Sequence, residues 1–214
     1  MEISTRNLKG LPDIVGLRRL LQSLAALDAI LMPTWEHRYY SFNAHWGLGE
    51  MLGSMRNGEG DEFFALLNSH GAFLKGFVHD SPMAAASVRS DCFYRDLPRQ
   101  FEECSREPAF VPDNVTFCIW RCAGKPAWSH SKVDFPALGD ADGSSSLLSM
   151  LDGVPQTYAA WASEYYERDL SLKAIEALYQ HQPLTDDLVV TLNPSSSARL
   201  LNKEISEIGY PVRQ

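Results

Sequence analysis

The first thirty residues carry a single apolar stripe with helical spacing. Pro12 suits the first turn of a helix, and Pro33 marks where that helix must have ended. Between the two prolines, apolar residues recur at steps of three and four: Ile14, Leu17, Leu20, Leu21, Leu24, Leu27 and Leu31. This pattern predicts a helix of about five turns whose stripe packs against another element, most simply a sheet.

Runs of strand-forming residues follow this helix. Turns at 57–60 and 68–71 separate the first runs, and each turn carries glycine, which adopts positive φ at little cost. A further turn at 123–126 joins a second hairpin. The predicted strands cover residues 37–42, 50–55, 61–68, 72–79, 115–122 and 127–133.

Lys75 interrupts an apolar face of the strand at 72–79. It shares that face with Phe73 and Phe77, so we expect it to lie at a sheet edge or beneath a partner. The prolines and scattered charges of residues 80–113 then predict a long connection with one short helix, at 97–104.

The last third of the chain changes to helical spacing. Ser171 and Thr185 are suitable N-caps, and Gly209 stands where a C-terminal glycine belongs. The predicted helices occupy 144–151, a stretch opened by Pro155, a stretch after Ser171, a stretch from Thr185 to near Pro194, and a stretch that begins at 195–197.

These elements predict an α+β fold. We expect an antiparallel sheet of five to six strands, an N-terminal helix and a C-terminal helical cluster. The 214 residues are long enough to bury a core without a metal or a disulfide. We interpret residues 1–214 as a single α+β domain, with a separate helical subdomain at 144–210 as the alternative.

Composition bounds the function further. The net charge of −8 argues against a general nucleic-acid binder and suits a basic protein partner. Cys118 and Cys122 lie four residues apart on a predicted strand, about 13 Å, too far to form a disulfide. We interpret the cysteines as reduced. The N-terminus lacks a signal pattern and no apolar run reaches bilayer length, so we expect a cytoplasmic protein without membrane contact.

His79, Asp80 and Ser81 are the residue types of a hydrolase triad, at the exit of a predicted strand. Neighbours on a strand point to opposite faces, so these three cannot converge locally. A structural interpretation is simpler: Asp80 or Ser81 caps the turn, and Pro82 ends the sheet.

Other polar clusters favour turns over chemistry. The stretch RNGEGD at 56–61 lacks the GK[ST] ending of a phosphate loop, and residues 140–143 (DADG) lack the distal acids of a calcium loop. The six histidines show no metal-ligand spacing. We therefore predict neither a metal nor a cofactor. Aromatic and cationic residues supply the candidate binding residues instead: Tyr39, Trp46 and Arg56.

Six segments resemble a family of uncharacterised bacterial proteins. They are YYSFN (39–43), GEMLGSMRNGEGDEFFALLN (49–68), GAFLKGFVHDSPM (71–83), TFCIWR (116–121), LDGVPQTYAAWASEYYE (151–167) and EIGYP (207–211). The resemblance implies a bacterial cytosolic protein. It brings no established activity, cofactor or catalytic residue to any position of this chain.

Two functional hypotheses follow. The first is a non-enzymatic, immunity-like binding protein that neutralises a basic partner such as a toxin or a nuclease. The alternative is a hydrolase-type enzyme with a site near His79 and Asp80 at the sheet edge, completed by Glu50 or Asp61. A homo-oligomer formed through a sheet edge is a third interpretation.

Overall fold

The computed structural model of this chain describes residues 2–86, 88–134 and 139–213. Within these residues, six strands form one antiparallel sheet in which each strand pairs with the next along the chain. The strands are β1 (Tyr40–Gly47), β2 (Glu50–Arg56), β3 (Glu62–Asn68), β4 (Gly71–Phe77), β5 (Phe117–Cys122) and β6 (Ser129–His130). With helices before and after the sheet, the predicted α+β class is confirmed.

Several strand boundaries differ from the prediction, those of β1 and β6 most. Residues Trp35–His37 form a 3-10 helix, so β1 begins at Tyr40 and not at residue 37. The predicted strand at 127–133 is reduced to Ser129–His130, which pairs with β5 through two residues. Lys75 stands opposite Phe64 and Cys118 in the middle of the sheet. Of the two places that the sequence allowed, a sheet edge is wrong, and the side chain is buried beneath the connection that follows β4 in the same chain.

The N-terminal helix is α1 (Ile14–Leu31), capped by Asp13, whose Oδ1 accepts a hydrogen bond from the Gly16 amide. From Leu20 onward α1 is buried on every side. The sheet covers one side, as predicted, and the C-terminal helices cover the other. Gly53 of β2 permits this close approach, because a Cβ there would lie 2.9 Å from a Leu21 methyl carbon.

The remaining helices fall into two groups. In the connection after β4 lie α2 (Pro82–Ala85), α3 (Ser90–Tyr94) and two 3-10 helices, Arg99–Arg106 and Pro108–Phe110. After β6 come α4 (Ser144–Leu148), a 3-10 helix (Ser149–Asp152), α5 (Pro155–Tyr165), α6 (Leu172–Tyr179), α7 (Asp186–Leu192) and α8 (Asn202–Ile208). The predicted caps Ser171 and Thr185 are confirmed, and Gly209 ends α8 with a φ of +66°.

The predicted helix start at 195–197 is wrong, because α8 begins at Asn202. A turn centred on Asn193 occupies the intervening residues. The Asn193 carbonyl oxygens of side chain and backbone accept hydrogen bonds from the amides of Ser195 and Ser196. Asp186 holds the amide of Ala198. The side chains of Asn193 and Asp186 thus offer the backbone amides of Ser195 and Ala198 acceptors that compete with helix formation.

The two faces of the sheet are covered by different parts of the chain. On one face, α1 and the C-terminal helices share a core with β1 to β5. On the other face, the connection between β4 and β5 packs its own aromatic cluster, which includes Phe93, Phe101 and Phe110. The predicted helix at 97–104 is the 3-10 helix Arg99–Arg106 within this cover.

Candidate functional site

The sequence-predicted site residues divide between two ends of the sheet. β2 begins at Glu50 and ends at Arg56, six residues or about 20 Å apart. Trp46 lies at the Glu50 end, because Gly47 pairs with Glu50. The remaining candidates lie at the other end: Tyr39, Arg56, Asp61, His79 and Asp80. Glu50 is therefore not available to complete a site around His79.

Trp46 is the exposed member of an aromatic stack at the first of these ends. Its ring lies 6.5 Å from that of Phe110, nearly parallel, and 40% of the residue is exposed. Phe110 stacks in turn on Phe64 and Phe73, at 5.5 and 6.4 Å between ring centroids. The buried rings therefore support the indole from below and leave part of it open to solvent.

A shallow groove of about 90 Å³ opens beside this indole. We call it the Trp46 groove, and it is lined by Trp46, Glu50, Leu66, Asn68, Gln100, Glu103, Cys104, Glu107 and Phe110. Three of these residues are glutamates, and none of the lining residues in the described part of the chain is a lysine or an arginine. The groove thus joins an exposed aromatic surface to concentrated negative charge.

Two of these glutamates are held in place by neighbours. The side-chain amide of Asn68, through its Nδ2, donates to Glu50 Oε1 at 3.3 Å, across the β2–β3 pair. Glu107 Oε1 accepts from the Ala109 amide at 3.0 Å and caps the 3-10 helix Pro108–Phe110. Both acceptors keep their second carboxylate oxygen for other contacts.

Lys75 fixes the floor of the groove from inside the protein. Its Nζ donates to the carbonyl oxygens of Phe110 and Val111, at 2.6 and 3.2 Å, and lies 3.7 Å from a carboxylate oxygen of Glu62. Val111 has a φ of +46°, which turns its carbonyl out of the helical direction. Burial lowers the pKa of Lys75 to about 8, although Glu62 opposes the shift.

The Cys104 thiol is the one reactive atom in the described lining of the groove. Burial, helped by Glu50 and other nearby acids, raises its pKa to about 12. The thiol is therefore protonated at neutral pH and is a poor nucleophile. The groove therefore presents carboxylates and an exposed indole, groups that can contact a cation.

At the opposite end of the sheet, Asp61 and His79 form a close pair. Asp61 Oδ1 lies 2.7 Å from His79 Nδ1 and accepts a hydrogen bond from the His79 amide at 3.0 Å. The hydrogen bond to Asp61 raises the pKa of His79, whose side chain is about half exposed. Ligand atoms of Asp61, His79 and Asp80 lie within 4.8 Å of one another, so this cluster can hold a divalent metal ion.

Ser81 does not join this pair. Its hydroxyl accepts from the Ala84 amide and caps α2, and the residue is buried, so the predicted capping role is confirmed. The preceding loop is a turn, as expected, since the Asn57 side chain accepts from the Glu59 and Asp61 amides. The Asp140 carboxylate likewise caps the start of α4.

Tyr39 and Arg56 are engaged in packing at this end. The Tyr39 ring lies 4.8 Å from that of Trp161 and 4.7 Å from that of Tyr165. The Arg56 guanidinium lies 5.8 Å from the centre of the Trp35 ring. Of the predicted binding residues, Trp46 alone lies beside a groove that matches the expected charge.

Asp28 is a buried acid that sequence reasoning missed. Its carboxylate accepts from the amides of Tyr39 and Tyr40, at 2.9 and 2.8 Å, and from the Tyr158 hydroxyl at 2.7 Å. Burial raises its pKa to about 6, against these hydrogen bonds. A single acid inside the apolar run LAALDAIL was the available signal.

Comparison with known proteins adds no relative. No family model, no curated protein and no solved structure matches this chain. The resemblance to an uncharacterised bacterial family therefore stays a prediction. Among the described residues, none of the helices combines the length and the apolar character that crossing a bilayer requires.

Proposed function

We propose that this protein is a non-enzymatic binding protein that receives a basic segment of a partner protein in the Trp46 groove. One observation carries the proposal: a tryptophan that is 40% exposed stands beside three glutamates, without a lysine or arginine in the described lining. Tryptophan is enriched among the anchor residues of interfaces, and a patch of one charge sign attracts a partner of the opposite charge.

An arginine or lysine of the partner has a defined place in this groove. Its cation lies over the indole of Trp46, a contact that contributes about 0.5–2 kcal/mol. Its N–H groups donate to Glu50, Glu103 and Glu107, the glutamates of the groove. The net charge of −8 attracts a basic partner over longer distances and speeds association at low salt.

We propose more specifically that the binding protein has an immunity-like role. In a bacterial cytoplasm, a basic toxin or nuclease is a partner with the required charge. Binding through arginine or lysine side chains would neutralise it by covering the surface that contacts its own anionic target. The acidic composition and the groove support this role together.

The test measures binding of a fluorescein-labelled arginine-rich nonapeptide by fluorescence anisotropy at 50 and 200 mM salt. We expect binding that weakens with salt and weakens about tenfold further in the double variant Glu103→Gln, Glu107→Gln. The matched control is Glu102→Gln, Glu164→Gln, which removes two exposed charges outside the groove. Equal losses in the two variants would contradict a specific groove.

A second candidate function rests on the Asp61–His79 pair. The 2.7 Å contact and the nearby Asp80 are compatible with a hydrolase in which His79 is the general base or a metal ligand. Assays with p-nitrophenyl acetate and bis-p-nitrophenyl phosphate, with and without Mn²⁺, test this candidate. Turnover that is lost in His79→Gln would favour it, and absence of turnover would favour the binding protein.

A further inference from the structure

A second concave site lies at the opposite edge of the sheet from the Trp46 groove. It is a cleft of about 500 Å³ between the N-terminal segment and the β5–β6 hairpin. We call it the β6 cleft, and it is lined by Thr5, Arg6, Asn7, Leu8, Lys9, Leu11, Arg121, Pro126, Ala127, Trp128 and His130. The β6 cleft and the Trp46 groove share no lining residue.

The charge of the β6 cleft opposes that of the protein. Lys9, Arg121 and His130 come from two separate parts of the chain and line this opening, and Arg6 stands at its border, where its Nη1 donates to the Gly139 carbonyl oxygen at 2.6 Å. None of the lining residues in the described part of the chain is an acid, although the whole protein carries a net charge of −8. Cationic side chains gathered in a concave site attract an anion.

The floor of the β6 cleft is apolar and rigid. Leu11 and Trp128 are buried, and the Trp128 Nε1 donates to the Pro12 carbonyl oxygen at 2.9 Å, which fixes the indole. Arg121 is oriented by a hydrogen bond of 3.0 Å from its Nε to the Lys125 carbonyl oxygen. That contact uses one of the five N–H donors of the guanidinium.

A neighbouring depression in the surface bears on which anions can bind in the β6 cleft. On the other side of the Thr5–Asn7 segment lies a cavity of about 460 Å³ whose lining includes three acids, Glu2, Asp140 and Asp142, and one cation, Arg6. An anion is repelled from that side and is directed to the cations of the β6 cleft. The same acids disfavour a long polyanion, which would have to cross both surfaces.

We propose that the β6 cleft binds a phosphorylated small molecule. Its phosphate contacts Lys9 and Arg121, with Arg6 and His130 beside them, and its apolar or aromatic part lies over Leu11 and Trp128. The volume of the cleft falls within the range of about 300–1,000 Å³ that ligand sites occupy. This site is separate from the Trp46 groove and does not depend on the function proposed for it.

Isothermal titration calorimetry with AMP, ATP, pyrophosphate and adenosine as probes tests the proposal. We expect AMP and ATP to bind, and pyrophosphate and adenosine to bind at least tenfold more weakly, because each lacks one half of the recognised chemistry. The double variant Lys9→Gln, Arg121→Gln should weaken AMP binding tenfold or more. The control variant Lys173→Gln, Lys203→Gln removes the same charge from exposed helix positions and should bind AMP normally.

Three results would overturn the proposal. The first is no heat from AMP or ATP at millimolar concentration. The second is an equal loss of AMP binding in the control variant. The third is binding of a single-stranded RNA oligonucleotide without binding of either nucleotide. Should Arg121→Gln disturb the hairpin, as judged by circular dichroism, Lys9→Glu alone gives the same test, because the Lys9 side chain is exposed.

Discussion

The Lys75 ammonium group donates a 2.6 Å hydrogen bond to the carbonyl oxygen of Phe110. This bond joins the centre of the sheet to the 3-10 helix on which the Trp46 indole stacks. A buried charge therefore stands directly beneath the groove proposed to recognise a charge. The geometry of the groove depends on a residue that no partner can touch, since Lys75 is fully buried.

Lys75→Met should lower the free energy of unfolding by about 2–4 kcal/mol. Methionine has similar length but leaves the carbonyl oxygen of Phe110 without the Lys75 donor and leaves Glu62 without its cation, whereas the Val111 carbonyl oxygen still accepts from the Asn114 amide. Urea denaturation measures the change. Lys125→Met, in the exposed β5–β6 turn, is the control and should alter stability by less than about 0.5 kcal/mol. Equal stability of Lys75→Met and the wild type would contradict the anchoring role.

The fold should tolerate the substitution Asp28→Asn but not Asp28→Ala. In Asp28→Asn, the amide oxygen can accept from the Tyr39 and Tyr40 amides while the NH₂ group donates to the Tyr158 hydroxyl. Asp28→Ala leaves all three donors buried without an acceptor and should cost about 3 kcal/mol or more at pH 7. Thermal unfolding of the two variants distinguishes them. A similar loss in both would show that the negative charge itself is required.

The stability difference between the wild type and Asp28→Asn should depend on pH. The folded pKa of about 6 lies above the unfolded value of 3.8, so the folded state binds more protons between these limits. Wild-type stability should therefore rise relative to Asp28→Asn as the pH falls from 6.5 to 4, by about 2 kcal/mol. Denaturant titrations at several pH values measure the slope. An opposite slope would contradict the raised pKa.

His79 should titrate above the ordinary histidine pKa because it is hydrogen-bonded to Asp61. Its contribution to stability is present at low pH and is lost as the pH rises through the raised pKa. An NMR titration of the ring protons should show this raised pKa in the wild type and a lower pKa in Asp61→Asn. His70, in the exposed β3–β4 turn, serves as the internal control. An unchanged His79 pKa in Asp61→Asn would exclude the pair.

Local patterns in the sequence predicted the elements of this fold well where spacing and turn chemistry agreed. The stripe from Ile14 to Leu31 and the caps Ser171 and Thr185 needed nothing beyond neighbouring residues. Position within the sheet was harder, because strand 72–79 alone does not reveal that β5 returns from residue 117 to cover its free edge. The sequence was therefore compatible with Lys75 either at an edge of the sheet or beneath another element.

The candidate site was only partly predictable for a related reason. Trp46 and Glu50 were recognised separately, as a binding residue and a catalytic residue, and their shared location follows from the hairpin pairing of Gly47 with Glu50. Glu103 lies in the 3-10 helix Arg99–Arg106, and Glu107 follows it as the cap of the 3-10 helix Pro108–Phe110. Their contact with the groove depends on long-range packing of Phe110, which no local pattern shows.

The most direct test of the binding function compares Trp46→Ala with Trp35→Ala. Both remove an exposed indole, but Trp35 lies at the opposite end of the sheet, beside Arg56. The measurement is the dissociation constant for the labelled arginine-rich nonapeptide at 50 mM salt. If the peptide binds in the Trp46 groove, its affinity should fall about tenfold in Trp46→Ala and stay at the wild-type value in Trp35→Ala. Wild-type affinity in Trp46→Ala, or an equal loss in Trp35→Ala, would contradict it.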